Sequence, residues 1–159
     1  QNEIESELKY KDKTYSLPPS LHITTYYRGR GKYDENNLAY KQFVEGKVVS
    51  LTVPGVIFIP GRIVTSIAFP EAFSNNDFPH ITSILGTYKA VDSNSVCNRL
   101  FSEGGSLSAE YKEKFSNIKE SVCFETKIKV FNDEETAYVC LFKSESHIKL
   151  ESVMKARWQ

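Results

Sequence analysis

Apolar residues in the middle of the chain occur in short runs that end at proline-glycine pairs. Residues 48–53, 56–59 and 62–69 are rich in Val, Ile and Phe, and Pro54-Gly55 and Pro60-Gly61 separate them. Short runs of this composition are typical of β-strands, and a proline-glycine pair is a strong turn signal. The pattern therefore predicts three consecutive strands joined by two turns.

Similar runs occur towards both ends of the chain. Residues 20–27 are rich in β-branched and aromatic residues and are followed by Gly29, and residues 78–85 are followed by Gly86. Both runs are predicted to be strands, and the glycine that follows each run is predicted to end the strand. Near the carboxyl end, strands are predicted at residues 122–131, 136–143 and 147–153, with a hairpin turn at residues 132–135.

Three stretches have the spacing of amphipathic helices. The first is predicted to begin at Asp34 and to stop at Gly46, and the second to begin with Ser93 as its cap and to stop at Gly104. A third has apolar residues at steps of four, four and three within residues 107–118. Strands outnumber helices and the connections are hairpin-like, so the expected class is α+β rather than alternating βαβ.

The bulk composition is ordinary for one folded domain. The chain has 159 residues, of which 40% are hydrophobic and 25% charged, and its formal net charge is zero. A neutral chain has no global field that attracts nucleic acid or anionic lipid, so any nucleotide must be recognised locally. Residues 1–19 are charged and end in two prolines, which predicts an entry segment before a single domain at residues 20–159.

The cysteines predict a reducing compartment, and we expect a cytoplasmic location. Cys97, Cys123 and Cys140 are widely spaced and odd in number, a pattern that favours neither a disulfide framework nor a zinc site. The chain has no apolar run long enough to span a bilayer and no apparent signal segment. It begins with Gln, which suggests a processed chain or an excised domain.

Two identical triplets carry the candidate chemistry. His22-Ile23-Thr24 and His80-Ile81-Thr82 contain two of the three histidines, and both fall in predicted strands. Residues i and i+2 of a strand point to the same face. Each histidine is therefore expected beside its threonine, with the isoleucine turned to the opposite face.

Two imidazoles and two hydroxyls around one small volume suit phosphodiester hydrolysis. One histidine can take a proton from water while the other protonates the leaving oxygen. Threonine hydroxyls can donate to the oxygens on which charge develops, so this chemistry requires no metal. A single His-x-Thr on a strand is usually structural, but two identical copies favour a catalytic interpretation. The alternating His pattern of histidine-triad hydrolases is absent, and so are the acidic partners of a two-His metal site.

At these triplets the sequence resembles the 2H phosphoesterase superfamily, whose members carry paired His-x-Thr/Ser motifs. It is most similar to the catalytic domain of the 2',3'-cyclic-nucleotide 3'-phosphodiesterases of vertebrates, including fish. His22-Ile23-Thr24-Thr25 is followed by an aromatic pair and then Gly31-Lys32, and Val-Ile-Phe-Ile-Pro at residues 56–60 precedes the second triplet. The resemblance extends over nearly the whole chain from about residue 15.

The resemblance implies a bilobal fold, with two antiparallel sheets flanking a central cleft and helices outside. It implies hydrolysis of 2',3'-cyclic nucleotides, or of RNA ends with a 2',3'-cyclic phosphate, to 2'-phosphates. His22, Thr24, His80 and Thr82 would be catalytic, with His80 activating water and His22 acting as the acid, although the reverse assignment stays open. No cofactor or metal is implied, and the expected protein is a monomer without a visible membrane anchor.

The resemblance also implies residues that bind the substrate. Tyr27, five positions after the first histidine, would stack on the nucleobase, although it can also be a core residue. The loop at residues 88–93, including Val91, would shape the pocket. The family has a basic residue where this chain has Phe78, so Arg28 or Arg30 would have to replace that contact unless both are ordinary solvated charges.

Two other interpretations remain open. The chain can be the cyclic-phosphodiesterase module of a tRNA-ligase-like RNA repair protein, which would use the same motifs. It can also be an inactive 2H-like domain that binds RNA or a protein. The zero net charge disfavours RNA binding without catalysis, since such binding normally depends on basic residues.

Overall fold

The structure is a computed structural model that describes residues 7–18, 21–25, 34–76, 78–101, 113 and 115–156. Within these ranges, strands dominate, neighbouring strands run antiparallel, and the expected α+β class is confirmed. The elements are β1 (Glu7–Tyr10), β2 (Lys13–Ser16), α1 (Leu38–Lys41), β3 (Val48–Ile59), β4 (Ile63–Pro70), β5 (His80–Leu85), α2 (Ser93–Phe101), β6 (Val122–Val130), β7 (Asp133–Leu141) and β8 (Ile148–Val153).

The strands are arranged around β3, the longest of those described. The order in the sheet is β1-β2-β5-β4-β3-β7-β6, and β8 also pairs with β3. The first half of β3 pairs with β8, and its second half pairs with β7. These pairs join the described strands into one hydrogen-bonded set. The division into two separate sheets that the resemblance implies stays a prediction.

Pro54-Gly55 is not a turn, and this part of the sequence prediction was wrong. The chain continues through both residues as β3, with an irregular register between Thr52 and Gly55. Proline cannot donate a hydrogen bond to a neighbouring strand, so it interrupts the ladder at a bulge without ending the strand. A Cβ atom on Gly55 would lie 2.6 Å from the backbone oxygen of Cys140, so the glycine permits the close approach of β7. The Pro60-Gly61 turn is confirmed.

Two hairpins end in two-residue turns with positive φ angles. Phe131 (φ 52°) and Asn132 (φ 68°) join β6 to β7. The turn was predicted at residues 132–135, but it begins one residue earlier, and residues 133–135 belong to β7. Lys11 (φ 47°) and Asp12 (φ 64°) join β1 to β2. Both have the signs of a type I′ turn, whose twist matches that of the flanking strands.

The hairpin of β1 and β2 was not predicted, because the first 19 residues are charged and lack an apolar run. It is attached to the sheet at Tyr15, which is 5% exposed. The Tyr15 hydroxyl accepts a hydrogen bond of 2.8 Å from the backbone N–H of Gly61. Ser16 also pairs with Leu85 of β5.

The first helix is shorter than predicted, and the predicted end of the second lies outside the described residues. The side chain of Asn37, not Asp34, caps α1 by accepting from Ala39 and Tyr40, and the helix ends at Lys41, before Gly46. Ser93 follows a 3₁₀ turn (Ala90–Asp92) and lies inside α2. Most of the predicted third helix lies outside the described residues.

The two faces of the sheet carry separate apolar clusters. The larger cluster packs α2 against the sheet, through Val96, Cys97 and Phe101. The smaller cluster contains Leu51, Val53, Ala68 and Ile81, with Ile23 packed against it. The smaller cluster matters most for function because it contains the isoleucines of both triplets.

The cysteine spacing did not favour a disulfide framework, but the structure contains a disulfide bond. Cys123 of β6 and Cys140 of β7 form this bond. They are 17 residues apart in sequence, but the antiparallel register of the two strands pairs them directly. Cys97 is a free, buried cysteine, and burial raises the pKa of its thiol to about 12. Among the described residues, no helix has the length and apolar character needed to cross a membrane.

We expect the Gly55→Ala variant to be less stable than the wild type by about 1–3 kcal/mol, since its methyl group would collide with the backbone of β7. Urea denaturation measures this difference. Ser50→Ala, at an exposed position of the same strand, is the control and should change the unfolding free energy by less than about 0.5 kcal/mol. Equal stability of the two variants would contradict the close approach of β7 to Gly55.

Candidate active site

The second triplet lies on β5, and its neighbour β4 holds it in place. Backbone register pairs His80 with Ile67 and Thr82 with Thr65. The Thr65 hydroxyl, which is fully buried, donates a 3.2 Å hydrogen bond to the backbone oxygen of Ile81. Ile81 packs in the smaller cluster, whereas Ile67 belongs to the larger one. His80 and Thr82 therefore share one face of the sheet and Ile81 the other, as strand periodicity predicts.

The first triplet is not in a strand. The predicted strand at residues 20–27 was therefore wrong for the part of this range that the structure describes. Residues 21–25 have no regular secondary structure. Among the described residues, two contacts involve this segment. Ile23 packs against the smaller cluster, and the backbone oxygen of Thr25 accepts a 2.7 Å hydrogen bond from the N–H of Asn75. His22 and Thr24 are exposed while Ile23 is half-buried, so the predicted alternation holds without a strand ladder.

The structure brings His22 close enough to His80 for the charge of one to affect the other. The pKa of His80 lies below its ordinary value, mainly because burial disfavours the charged imidazole. The hydrogen bond to the backbone of Phe78 raises the pKa, and the positive charge of His22 lowers it. A neutral His80 is therefore favoured near pH 7.

The tautomer of His80 follows from its hydrogen bond. Its Nδ1 lies 2.7 Å from the backbone oxygen of Phe78. A carbonyl oxygen can only accept, so Nδ1 must carry the proton and donate it. In the neutral ring, Nε2 then has a free lone pair and can accept a proton from a substrate or a water molecule.

Thr82 is placed differently from Thr24. It is 8% exposed, and its Oγ1 lies 2.8 Å from the Oγ of Ser93 and 3.4 Å from the backbone oxygen of Ala90. Ser93 is fully buried at the start of α2. Sequence reasoning assigned Ser93 only to a helix cap and missed this contact, because spacing along the chain does not indicate which strand faces the helix.

The other predicted binding residues have different outcomes. Val91 lies in the 3₁₀ turn that contacts Thr82 through Ala90, and its own side chain is 67% exposed. Tyr27, Arg28 and Arg30 lie outside the described residues. Their predicted roles stay predictions.

Phe78, which stands where the resemblance predicts a basic residue, has a structural role. Its side chain is 6% exposed and belongs to the larger apolar cluster. Its backbone positions the site: the N–H donates to Asn76, and the carbonyl accepts from His80. The third histidine, His147, is half-buried and donates from Nε2 to the backbone oxygen of Phe142.

In the part of the chain that the structure describes, no three His, Cys, Asp or Glu side chains form a group suited to a metal ion.

Comparison of the sequence and structure with family models, curated proteins and solved structures finds no match. The interpretation of the site therefore depends on its own geometry and on the two triplets.

We expect an NMR titration to place the pKa of His80 below 6.5. The variant His22→Gln should raise this pKa, because a neutral side chain replaces one that becomes positively charged. Burial remains in the variant, so it removes only the charge effect. His147→Gln is the matched control and should leave the His80 titration unchanged. An unchanged His80 pKa in His22→Gln would show that the two imidazoles are not neighbours.

A double-mutant cycle should detect the hydrogen bond between Thr82 and Ser93. Thr82→Val and Ser93→Ala each remove one buried hydroxyl, and we expect each to cost about 1–2 kcal/mol of unfolding free energy. Because the partners are in contact, the double variant should be more stable than additivity predicts, by roughly 0.5–1.5 kcal/mol. Strict additivity in urea denaturation would exclude this bond.

Proposed function

We propose that this chain hydrolyses 2',3'-cyclic phosphodiesters of nucleotides or RNA ends to 2'-phosphates by two-histidine acid/base catalysis. His22 and His80 are far apart in sequence, but the isoleucines that follow them pack in one apolar cluster. This packing, together with the effect of the His22 charge on the pKa of His80, supports the proposal most directly. Within the described residues no hydrogen bond joins the two imidazoles. Such a pair can act on opposite sides of a phosphate placed between them.

The state of His80 supports its assignment as the base. Its pKa is lowered, and its Nδ1–H is engaged by Phe78, so Nε2 is the available proton acceptor. In the proposed reaction, Nε2 takes a proton from water as the water oxygen bonds to phosphorus. The bond between phosphorus and the ribose 3'-oxygen breaks, and His22 gives its proton to that oxygen. The product carries a 2'-phosphate, and the two histidines have exchanged protonation states.

The threonines would stabilise the charge that develops on the non-bridging oxygens. Thr24 is exposed and can donate directly. Thr82 is buried and its hydroxyl donates to the backbone oxygen of Ala90. In the proposed reaction this proton turns to the substrate, while Ser93 donates to the Thr82 oxygen. This chain of hydroxyls would hold the donor in place before the substrate binds, which is the main requirement for electrostatic stabilisation.

The finer claims implied by the 2H resemblance are part of the same proposal. These are the two-lobed fold, base stacking by Tyr27, a pocket shaped at Val91, independence from metal ions and a monomeric state. A cytoplasmic location is also proposed. The Cys123–Cys140 bond weighs against it, because disulfides are rare in cytosolic proteins.

The proposal predicts that purified protein converts 2',3'-cyclic AMP to adenosine 2'-phosphate. His22→Ala and His80→Ala should each lower kcat by roughly 10²- to 10⁴-fold, since each removes a proton-transfer group. Thr24→Ala and Thr82→Ala should lower it by roughly 10²-fold. Chromatography that separates the 2'- and 3'-phosphate isomers measures both rate and product.

His147→Gln serves as the matched histidine control and should keep the wild-type rate. The same assay in EDTA tests whether a metal participates, and we expect full activity. Wild-type activity in either His22→Ala or His80→Ala would disprove the mechanism. Absence of turnover, with 2',3'-cyclic AMP and with an RNA bearing a 2',3'-cyclic end, would favour an inactive binding domain.

A further inference from the structure

A shallow depression of about 400 Å³ lies between the loop before β5 and α2. Four of its six described lining residues are asparagines, and none of these six residues is charged. Its size is within the range of small-ligand sites. The lining residues are Asn75, Asn76, Phe78, Asn94, Ser95 and Asn98.

Three short links connect this depression to the triplets. Asn75 donates its backbone N–H to Thr25, the residue that follows the first triplet. Asn76 accepts from the backbone of Phe78, whose carbonyl orients His80. Asn94 directly follows Ser93, which contacts Thr82. The depression and the two triplets are therefore connected through the same loop and the same helix.

Several polar groups that line the depression have no hydrogen-bond partner among the described residues. Within the described part of the chain, the side chains of Asn75, Ser95 and Asn98 make no hydrogen bond. Asn94 accepts from the amide of Asn76, which leaves its own NH₂ group available. Asn94, Ser95 and Asn98 lie on one side of α2, at helical spacing.

The chemistry of the lining indicates the class of ligand. A phosphate would require positive charge to offset its desolvation, and none of the six described lining residues carries one. An apolar ligand would leave the amide groups without partners. Side-chain amides offer a donor and an acceptor side by side, which matches the edge of a nucleobase and pairs best with N6 and N7 of adenine.

We infer that this depression binds the nucleobase of the substrate, or of the terminal RNA nucleotide, and discriminates among bases through asparagine amides, with adenine preferred. The inference rests on the proposed function for the position of the phosphate. It goes beyond that function in assigning base recognition to α2 and to residues 75–76. Stacking on an aromatic ring tolerates any base, so edge recognition would supply the selectivity that stacking lacks.

Asn98→Ala tests the inference with little risk to the fold. Asn98 is exposed on α2, and alanine is a better helix former than asparagine. We expect KM for 2',3'-cyclic AMP to rise roughly fivefold or more, with kcat within about twofold, because the contact concerns binding and not the reacting atoms. The preference for adenine over the other three 2',3'-cyclic nucleotides should shrink in the variant.

Asn117→Ala is the matched control, an exposed asparagine that does not line the depression, and its KM values should equal those of the wild type. Calorimetric titration with adenosine 2'-phosphate provides a readout that does not need turnover. If adenosine 2'-phosphate binds Asn98→Ala more weakly than the wild type, the inference is supported even if the wild type hydrolyses nothing. Hydrolysis by the wild type, with KM and Kd unchanged in Asn98→Ala, overturns the inference and leaves the proposed function intact.

Discussion

Ile23 and Ile81 pack in the same small apolar cluster, with Leu51, Val53 and Ala68. Each isoleucine is the middle residue of a His-Ile-Thr triplet, so their shared burial brings the flanking histidines to neighbouring positions. The first triplet has no strand ladder to hold it, and the described contacts of its segment are this packing and one backbone hydrogen bond from Asn75. Removing apolar surface from water is therefore what assembles the site.

The loop before β5 links several parts of the site at once. Its residues contact Thr25, orient His80 through Phe78 and contribute to the asparagine-lined depression. The basic residue expected at position 78 would not fit here, because this side chain lies in the main apolar cluster. A buried charge without a partner is costly, so the aromatic residue stabilises the loop and only its backbone acts on His80.

The two halves of the site are unequal. His80 is partly buried, its ring is oriented by a hydrogen bond and its pKa is lowered, whereas His22 is exposed. Thr82 lies under the turn at residues 90–92 and against Ser93, whereas Thr24 is exposed. Different surroundings give identical side chains different proton affinities, which is the condition for dividing acid and base roles between them.

Local pattern was sufficient to predict the α+β class, the positions of most strands and the alternation within each triplet, because these depend on residues near one another in sequence. It did not predict that β3 passes through Pro54-Gly55, that Cys123 bonds to Cys140, or that Ser93 contacts Thr82. Each of these depends on which distant strand or helix lies alongside. Only tertiary packing decides such neighbours, because contacts between distant segments form when apolar faces are buried together.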